Sequence, residues 1–225
     1  MELKPIAHMR SDFSEKFGIP RQSGLVQELK SSIIFEKEYA IAEAFRGLEE
    51  YSYIWIIWGF SKNEGKPWSP TVRPPRLGGN TRRGVFATRS PFRPNGLGLS
   101  CVKMDHIEFT SDNGPVLHVS GADLLDGTPI YDIKPYLRIT DCHPDAVCGF
   151  SAKTASYSLQ VEFPEKLAGI FPEEQQKALL GVLAQDPRPS YQHDPKRVYV
   201  MGFAGYDVSF RVDGDTLTVC DIIKV

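Results

Sequence analysis

The sequence lacks the residue groupings that indicate a metal site or a disulfide framework. Its 225 residues include only four cysteines and five histidines, and these lie far apart. No CxxC pair occurs, and the histidines show neither HxxxH nor HExxH spacing. We therefore expect no bound metal, and we expect the cysteines to be reduced and mostly packed thiols.

A long apolar segment is also missing. The longest apolar run, residues 54–60, is far shorter than the ~20 residues that a membrane-spanning helix needs. The first residues, MELKPIAHMRSDF, carry charges where a signal peptide would need an apolar region. From these absences we expect no membrane association and a cytoplasmic location.

The sequence contains no GxGxxG motif between a predicted strand and a helix, which argues against the common α/β nucleotide-binding fold. Short β-prone runs separated by turn residues recur instead. Residues 51–60, YSYIWIIWGF, are β-branched and aromatic and predict a core strand. The turn DNG at 112–114 predicts a hairpin leading into a strand over 116–122. The pattern is typical of a mainly β protein built on a closed or nearly closed antiparallel barrel.

The β pattern weakens at residues 143–151, where we place a domain boundary. We expect residues 1–147 to form the barrel domain and residues 148–225 to form a small α+β domain. The second domain is predicted to contain a helix over 165–183, interrupted at Pro172, followed by a loop over 184–197. Its predicted strands cover residues 156–163, 198–203, 206–212 and 217–223.

Acidic residues are absent between Glu64 and Asp105, although the whole chain has a net charge of -2. The segment 71–100 within this gap, here called the arginine stretch, interleaves its arginines with prolines and glycines. Its arginines are Arg73, Arg76, Arg82, Arg83, Arg89 and Arg93. We expect a strand over 84–89 between two arginine-bearing loops, a surface suited to phosphate or nucleic acid. The alternative is an ordinary solvated basic loop.

Two shorter motifs also carry polar groups suited to a ligand. Pro20-Arg21-Gln22 offers a guanidinium fork and an amide after a rigid residue, although an exposed Arg-Gln pair is commonplace. The segment Asp123 to Gly127 places two carboxylates and a tight turn after a strand. The carboxylates of Asp123 and Asp126 could bind ribose hydroxyls, an amine or a sulfonium. The alternative is that Asp126-Gly127 is simply a turn.

Five blocks of sequence carry a family resemblance that spans almost the whole chain. They are KFGIPRQ (16–22), TVRPPRLGGN (71–80), GVFATRSPFRPNGLGLS (84–100), DLLDGTPIYDIKPYL (123–137) and AQDPRPSY (184–191). With these blocks the chain closely resembles the TsaA/TrmO family of tRNA methyltransferases, which act on N6 of N6-threonylcarbamoyladenosine beside the anticodon. The resemblance implies a β-barrel that binds S-adenosyl-L-methionine, a smaller C-terminal domain, a homodimer and the tRNA anticodon arm as partner.

The resemblance also implies the residues of the site. The expected cofactor contacts are Pro20, Arg21, Gln22, Ser61, Lys62, Arg89, Leu99, Asp123, Leu124, Leu125, Asp126 and Gly127. The expected RNA contacts are Arg73, Arg76, Arg82, Arg83, Arg93, Arg188 and Tyr191. The chain departs from many relatives at Ser61-Lys62, where they have His-Gln, and at Gly96, where they have proline.

Methyl transfer from a sulfonium is an in-line displacement, so the implied catalysis is largely positioning. The acceptor nitrogen is attached to a carbonyl, and we expect Asp126 or Asp186 to assist loss of its proton. Arg89 has a structural alternative, an internal ion pair with Asp123 or Asp126. Two other functions stay open at this stage: a non-catalytic RNA-binding barrel, and an enzyme that acts on another phosphorylated or nucleotide substrate.

Overall fold

The computed structural model describes residues 2–77, 80–154, 157–189, 191–192 and 194–225, without the side chains of Arg76, Lys153 and Thr154. The first eight strands are β1 (Ala7–Arg10), β2 (Lys30–Phe35), β3 (Tyr53–Gly59), β4 (Thr71–Val72), β5 (Arg83–Gly84), β6 (Leu97–Thr110), β7 (Gly114–Ser120) and β8 (Pro129–Pro135). The later strands are β9 (Gln160–Glu162), β10 (Tyr199–Phe203), β11 (Tyr206–Asp213) and β12 (Thr216–Lys224). The helices are α1 (Arg138–Asp141) and α2 (Glu173–Ala184), with several short 3-10 turns between the strands.

Six strands form a closed barrel in the order β1-β2-β7-β6-β3-β8, with antiparallel neighbours throughout. Alternate residues of β3 point inward, so Ile54 and Ile56 are completely buried while Tyr53 is exposed. The 14-residue strand β6 spans one whole side of the barrel and forms the predicted hairpin with β7. The expected mainly β fold with an antiparallel barrel is therefore confirmed.

The C-terminal part of the chain forms a second layer around its own core. A four-stranded sheet in the order β10-β11-β12-β9 is antiparallel except where β9 runs parallel to β12. Helix α2 follows Pro172, starts with two glutamates that suit the positive end of the helix dipole, and buries Leu179 and Leu183 in this core. This arrangement matches the α+β character expected for the C-terminal part.

The segment 11–29 leaves the barrel and packs on the second core. Phe13, Val26 and Leu29 are buried there, although they come from the N-terminal part of the chain. Gly18 has φ +96°, and a Cβ at that position would lie 2.8 Å from the Sδ of Met201. The motif that contains Pro20, Arg21 and Gln22 is therefore held at the junction between the barrel and the C-terminal sheet.

The strand predicted over 84–89 is wrong for most of its length. Only Gly84 is in a strand, and residues Val85–Ala87 form a 3-10 turn. The Thr88 Oγ1 donates to the Val85 carbonyl at 2.9 Å, and Arg93 Nη1 donates to the Val85 and Thr88 carbonyls at 3.1 and 2.6 Å. Because these side chains satisfy the backbone locally, the segment does not need a strand partner.

Candidate active site

A polar cluster consisting of Gln22, Arg89, Ser100 and Asp123 lies where segment 11–29 meets the barrel. Arg89 Nη1 donates to the Gln22 Oε1, so two residues predicted as ligand contacts touch across 67 positions of sequence. The Ser100 hydroxyl donates to Asp123 Oδ1 at 2.6 Å. Trp58 Nε1 donates to the Ser100 oxygen at 3.0 Å, which directs the single hydroxyl proton of Ser100 toward Asp123. The cluster is thus braced from inside the barrel.

Burial raises the pKa of Asp123 above its usual range. The Ser100 hydroxyl, the backbone N–H groups of Asp123 and Ser23, and the charge of Arg89 oppose this shift because they stabilise the carboxylate. Among the described residues, Arg89 forms no ion pair with Asp123 or Asp126. Its guanidinium group binds the side chain of Gln22 instead. A carboxylate that is costly to bury and only partly compensated is typical of a binding position.

The turn Asp123 to Gly127 connects the two hydrophobic cores. Leu124 is buried in the barrel core, whereas Leu125 packs against the C-terminal core. Asp126 Oδ1 accepts the Ser11 N–H at 3.2 Å, and its Oδ2 lies 3.3 Å from Arg10 Nη1. Gly127 has φ +72°, which the tight turn requires. The structural role expected for this turn is therefore present, and it sets the direction of the Asp123 side chain.

Asp186 and Arg188 form a buried ion pair. Arg188 Nε donates to Asp186 Oδ1 at 2.9 Å and Nη2 donates to Oδ2 at 3.0 Å, while the Tyr157 hydroxyl donates to Oδ2 at 2.8 Å. Arg188 is only 6% exposed and Asp186 only 9%. Burial opposes ionisation of Asp186, but the hydrogen bonds and charge of Arg188 and the Tyr157 hydroxyl lower its pKa overall. Both side chains face each other rather than an incoming RNA.

Arg21 ties this pair to the N-terminal segment, because its Nη2 lies 3.3 Å from the carbonyl oxygens of both Asp186 and Arg188. Beside it lies a cavity of about 560 Å³, here called the junction pocket, between segment 16–21, the arginine stretch and residues 182–191. Pro20, Arg73 and Tyr191 also line it, and Tyr191 is 67% exposed at this surface. The volume is in the range of small-molecule and nucleoside sites.

The arginine stretch divides into exposed and bracing side chains. Arg73 and Arg83 are exposed, and Arg82 is exposed while its Nη1 donates to the Thr71 Oγ1 at 2.8 Å. Arg93 is half-buried, holds two backbone carbonyls and lies 5.8 Å from the Phe86 ring centroid. The predicted role of Arg76 depends on a side chain outside the described residues.

The remaining predicted contacts, Ser61, Lys62 and Leu99, lie at the surface of the barrel. Ser61 and Lys62 are exposed in a 3-10 turn that follows β3, and Leu99 is 54% exposed on the outer face of β6. Sequence reasoning missed Ser100 and Trp58, although a tryptophan in a core strand usually needs a partner for its N–H. It also missed Lys16 and Asn63, whose side chains are hydrogen-bonded. Lys16 lies in the KFGIPRQ block, which was the available signal.

The described ranges contain no group of three or more metal-ligating side chains, and none of their helices is long and apolar enough to cross a membrane. The donor set is instead a carboxylate, an amide and guanidinium groups on a closed antiparallel barrel beside an arginine-rich surface. Fold and site together define a protein built on an antiparallel β-barrel with a second, α+β core, and with a polar cluster and a pocket at the junction of the two.

Comparison with known families gives the class a name. The model of the tRNA-methyltransferase O N-terminal domain matches residues 8–142, and that of the TrmO C-terminal domain matches residues 156–225. The chain therefore belongs to the tRNA-methyltransferase O family of enzymes, and the resemblance stated from the five sequence blocks is confirmed.

Individual relatives match along nearly the full chain. The tRNA (adenine(37)-N6)-methyltransferase of Escherichia coli K12 is 39% identical over 219 residues, 94% of this chain and 93% of the relative. A Pseudomonas aeruginosa protein named putative S-adenosylmethionine-dependent methyltransferase RcsF is 39% identical over 230 residues, 98% of this chain and 96% of the relative. The crystal structure of TrmO from P. aeruginosa superimposes with a TM-score of 0.80 at 33% identity, covering 100% of this chain and 97% of that one.

Proposed function

We propose that this protein transfers a methyl group from S-adenosyl-L-methionine to N6 of adenine 37 in tRNA, and that the nucleoside it methylates is N6-threonylcarbamoyladenosine. The names of the relatives support the cofactor and the position in tRNA. The observation that carries the proposal is the polar cluster, because it places a carboxylate and a guanidinium at the junction of a barrel that belongs to this family.

The residues of the polar cluster fit S-adenosyl-L-methionine by their chemistry. The cofactor supplies an electrophilic methyl group on a sulfonium, and it carries an ammonium, a carboxylate and ribose hydroxyls. Asp123 offers an acceptor for the cationic or hydroxyl groups, and Arg89 with Gln22 offers donors for the carboxylate. Among the other expected contacts, Ser61 and Lys62 lie in an exposed turn, and Leu99 is exposed on the outer face of β6.

Of the two candidate bases, the geometry favours Asp126. Both oxygens of Asp186 are occupied by Arg188 and Tyr157, and its pKa is lowered, so Asp186 is a poor proton acceptor. The carboxylate of Asp126 is exposed and held only at 3.2 and 3.3 Å by Ser11 and Arg10. We therefore assign Asp126 the proton from the acceptor nitrogen and Asp186 the role of positioning the loop around Arg188.

This assignment predicts a large effect on the chemical step. Asp126→Asn should lower the single-turnover rate by about 100-fold or more, the usual contribution of a positioned base. Binding of S-adenosyl-L-methionine, measured by calorimetry, should fall far less than the rate, although Asp126 is also among the expected cofactor contacts. The exposed Asp213 in β11 offers a matched Asp213→Asn control. An unchanged rate in the Asp126 variant would remove it from the role of base.

For the tRNA, we propose that the anticodon arm contacts the exposed arginines Arg73, Arg82 and Arg83 through its phosphates. Arg93 and Arg188 are assigned to shaping the loops, because their guanidinium groups bind protein atoms. We assign Tyr191, which is exposed and lines the junction pocket, to stacking on a flipped base.

We also propose a homodimer through the outer face of β3 and β6. Leu99 is 54% exposed there and pairs with Ile57, and Tyr53 is 38% exposed on the same face. Exposed apolar side chains on a barrel wall favour burial against a second copy. Sedimentation equilibrium tests this: wild type should have twice the monomer mass and Leu99→Glu the monomer mass. A monomeric wild type contradicts the proposal.

The decisive experiment is nucleoside mass spectrometry after the protein and S-adenosyl-L-methionine are incubated with threonine tRNA, prepared with and without the threonylcarbamoyl group. We expect a methyl mass gain only on the modified nucleoside. A gain on plain adenosine would contradict the proposed substrate but keep the reaction. No gain on either tRNA, without thermal stabilisation by S-adenosyl-L-methionine, would favour a non-catalytic RNA-binding barrel.

A further inference from the structure

The junction pocket has a positive wall and an apolar, rigid floor. Lys16, Arg21, Arg73 and Arg188 are its cationic lining residues, and Asp186 is the one acid among the described residues that line it. The charges of Asp186 and Arg188 match each other, which leaves Lys16, Arg21 and Arg73 as the net positive lining. Phe17, Ile19 and several prolines supply the rest of the surface. Such a pocket favours a flat ring that carries a negative group.

Lys16 is a cation of this pocket that has no acidic partner among the described residues. Its Nζ donates to Asn63 Oδ1, an atom of a buried residue, which fixes the ammonium at one edge of the pocket. No carboxylate forms an ion pair with Lys16 among the described residues. Burial, and then the charges of Lys66 and Lys62, lower the pKa of Lys16, so a bound anion would relieve an unfavourable positive field.

The pocket also adjoins the polar cluster. Arg21 lines the pocket, and its neighbour Gln22 binds Arg89 in the cluster. Lys16 is linked through Asn63 to the turn that contains Ser61 and Lys62, which are expected cofactor contacts. We therefore expect an adenine in the junction pocket to present its N6 edge toward the polar cluster, with the substituent on N6 along the cationic lining residues.

We propose that Lys16 is the residue that selects the threonylcarbamoyl nucleoside, by binding the carboxylate at the end of its N6 substituent within the junction pocket. The inference rests on the proposed function and deepens it, because it explains how plain adenosine is discriminated. A backbone phosphate of the tRNA has the same anionic chemistry, so the test must separate the two sources.

The test compares Lys16→Met with Lys66→Met, a neighbouring lysine outside the pocket lining. Dissociation constants and salt dependence are measured for threonine tRNA with and without the threonylcarbamoyl group, and kcat/KM is measured on the modified tRNA. Lys16→Met should weaken binding of the modified tRNA by about 10- to 100-fold, the range for removing a charge-assisted hydrogen bond, and lower kcat/KM equally. The affinity of Lys16→Met for unmodified tRNA should stay within about twofold of wild type. For Lys66→Met, tRNA affinity and kcat/KM should both stay within about twofold of wild type.

Two results would overturn the inference. If the affinity for both tRNAs fell equally, and the slope of log affinity against log salt fell by about 0.7 to 0.9, Lys16 would be assigned to a phosphate contact instead. No change with either tRNA would remove Lys16 from the site. Lys16→Arg, which keeps the charge, should restore most of the preference, and an unchanged thermal shift with S-adenosyl-L-methionine shows that the variants are folded. A wild type that binds both tRNAs equally would contradict the discrimination assigned to Lys16, whereas methylation of the unmodified tRNA would contradict the proposed substrate itself.

Discussion

At the scale of single residues, the site depends on carboxylates whose environments differ. Asp123 is half-buried with incomplete compensation, Asp126 is exposed, and Asp186 is held in an ion pair. Their sequence contexts are alike, since each stands in a turn-forming segment. The chemistry they can perform is set by what surrounds them in the fold, not by residue type.

Asp123→Asn tests the cost of keeping a half-buried carboxylate. A raised pKa in the folded state means that Asp123 stabilises the fold fully only below its unfolded pKa of about 3.9, and that this contribution is lost as pH rises through the folded value. The variant should therefore gain thermal stability relative to wild type between pH 4 and pH 7, while its affinity for S-adenosyl-L-methionine falls at least about tenfold.

Melting temperatures at the two pH values and calorimetric titration of the cofactor measure both effects. Asp213→Asn, an exposed aspartate of β11, is the matched control and should show neither. If Asp123→Asn bound S-adenosyl-L-methionine as wild type does, Asp123 would be a purely structural residue.

Asp186→Asn should behave in the opposite way. The pKa of Asp186 is lowered, so its stabilising contribution is present above the unfolded pKa of about 3.9 and is lost as pH falls through the folded value. At neutral pH the variant leaves the buried Arg188 without a charge partner, which costs about 3 kcal/mol of unfolding free energy. Urea denaturation at pH 7 and at acidic pH should show a deficit that shrinks with acidification. A constant deficit would contradict the ion-pair explanation.

At the scale of elements, the sequence pattern predicted most strands because alternation and turn residues are local signals. The core strand at 51–60, the hairpin at 112–114 and the helix after Pro172 appear close to their expected places. The strand expected at 84–89 failed because Arg93 and Thr88 hold its carbonyls, a contact that depends on where a later loop returns. Local sequence patterns do not predict where a later loop packs against an earlier segment.

The same limit applied to the site. The motif around Gln22 and that around Arg89 were each recognisable, but their contact depends on segment 11–29 leaving the barrel for the second core. Ser100 and Trp58 were missed because their roles follow from the register between β3 and β6, which places Trp58 against Ser100 and Ser100 against Asp123. The sequence identified the residue types, but it did not predict the strand register.

Gly18→Ala tests whether segment 11–29 positions the site. The substitution combines a strained backbone at φ +96° with a Cβ 2.8 Å from Met201 Sδ, so we expect a loss of about 2–3 kcal/mol in unfolding free energy and weaker cofactor binding. Gly205→Ala is the control, because φ is +78° there and no atom lies within 4 Å of the added Cβ. It should cost about 1 kcal/mol and leave cofactor binding unchanged. Equal effects would show that the Met201 contact does not matter.

At the scale of the whole molecule, charge is separated rather than balanced. The chain has a net charge of -2, yet residues 65–104 contain no acid, and the exposed Arg73 of this segment lines the junction pocket. A polyanion approaching such a surface meets a local positive field despite the overall negative charge. Association with tRNA should therefore be fast at low salt and should weaken steeply as salt is added.

The double variant Arg82→Ala with Arg83→Ala separates this surface from the chemistry at the site. Removing one arginine that binds a phosphate should reduce the slope of log affinity against log salt by about 0.7 to 0.9, so removing the pair should reduce it by about 1.5. The turnover number at saturating tRNA should stay close to that of wild type, because neither arginine belongs to the polar cluster or lines the junction pocket.

The control is the double variant Lys37→Ala with Lys166→Ala. It removes two exposed lysines outside the arginine stretch and so matches the change in net charge. If both double variants altered the slope equally, the tRNA would respond to total charge, and the arginine stretch would lose its assignment as the docking surface.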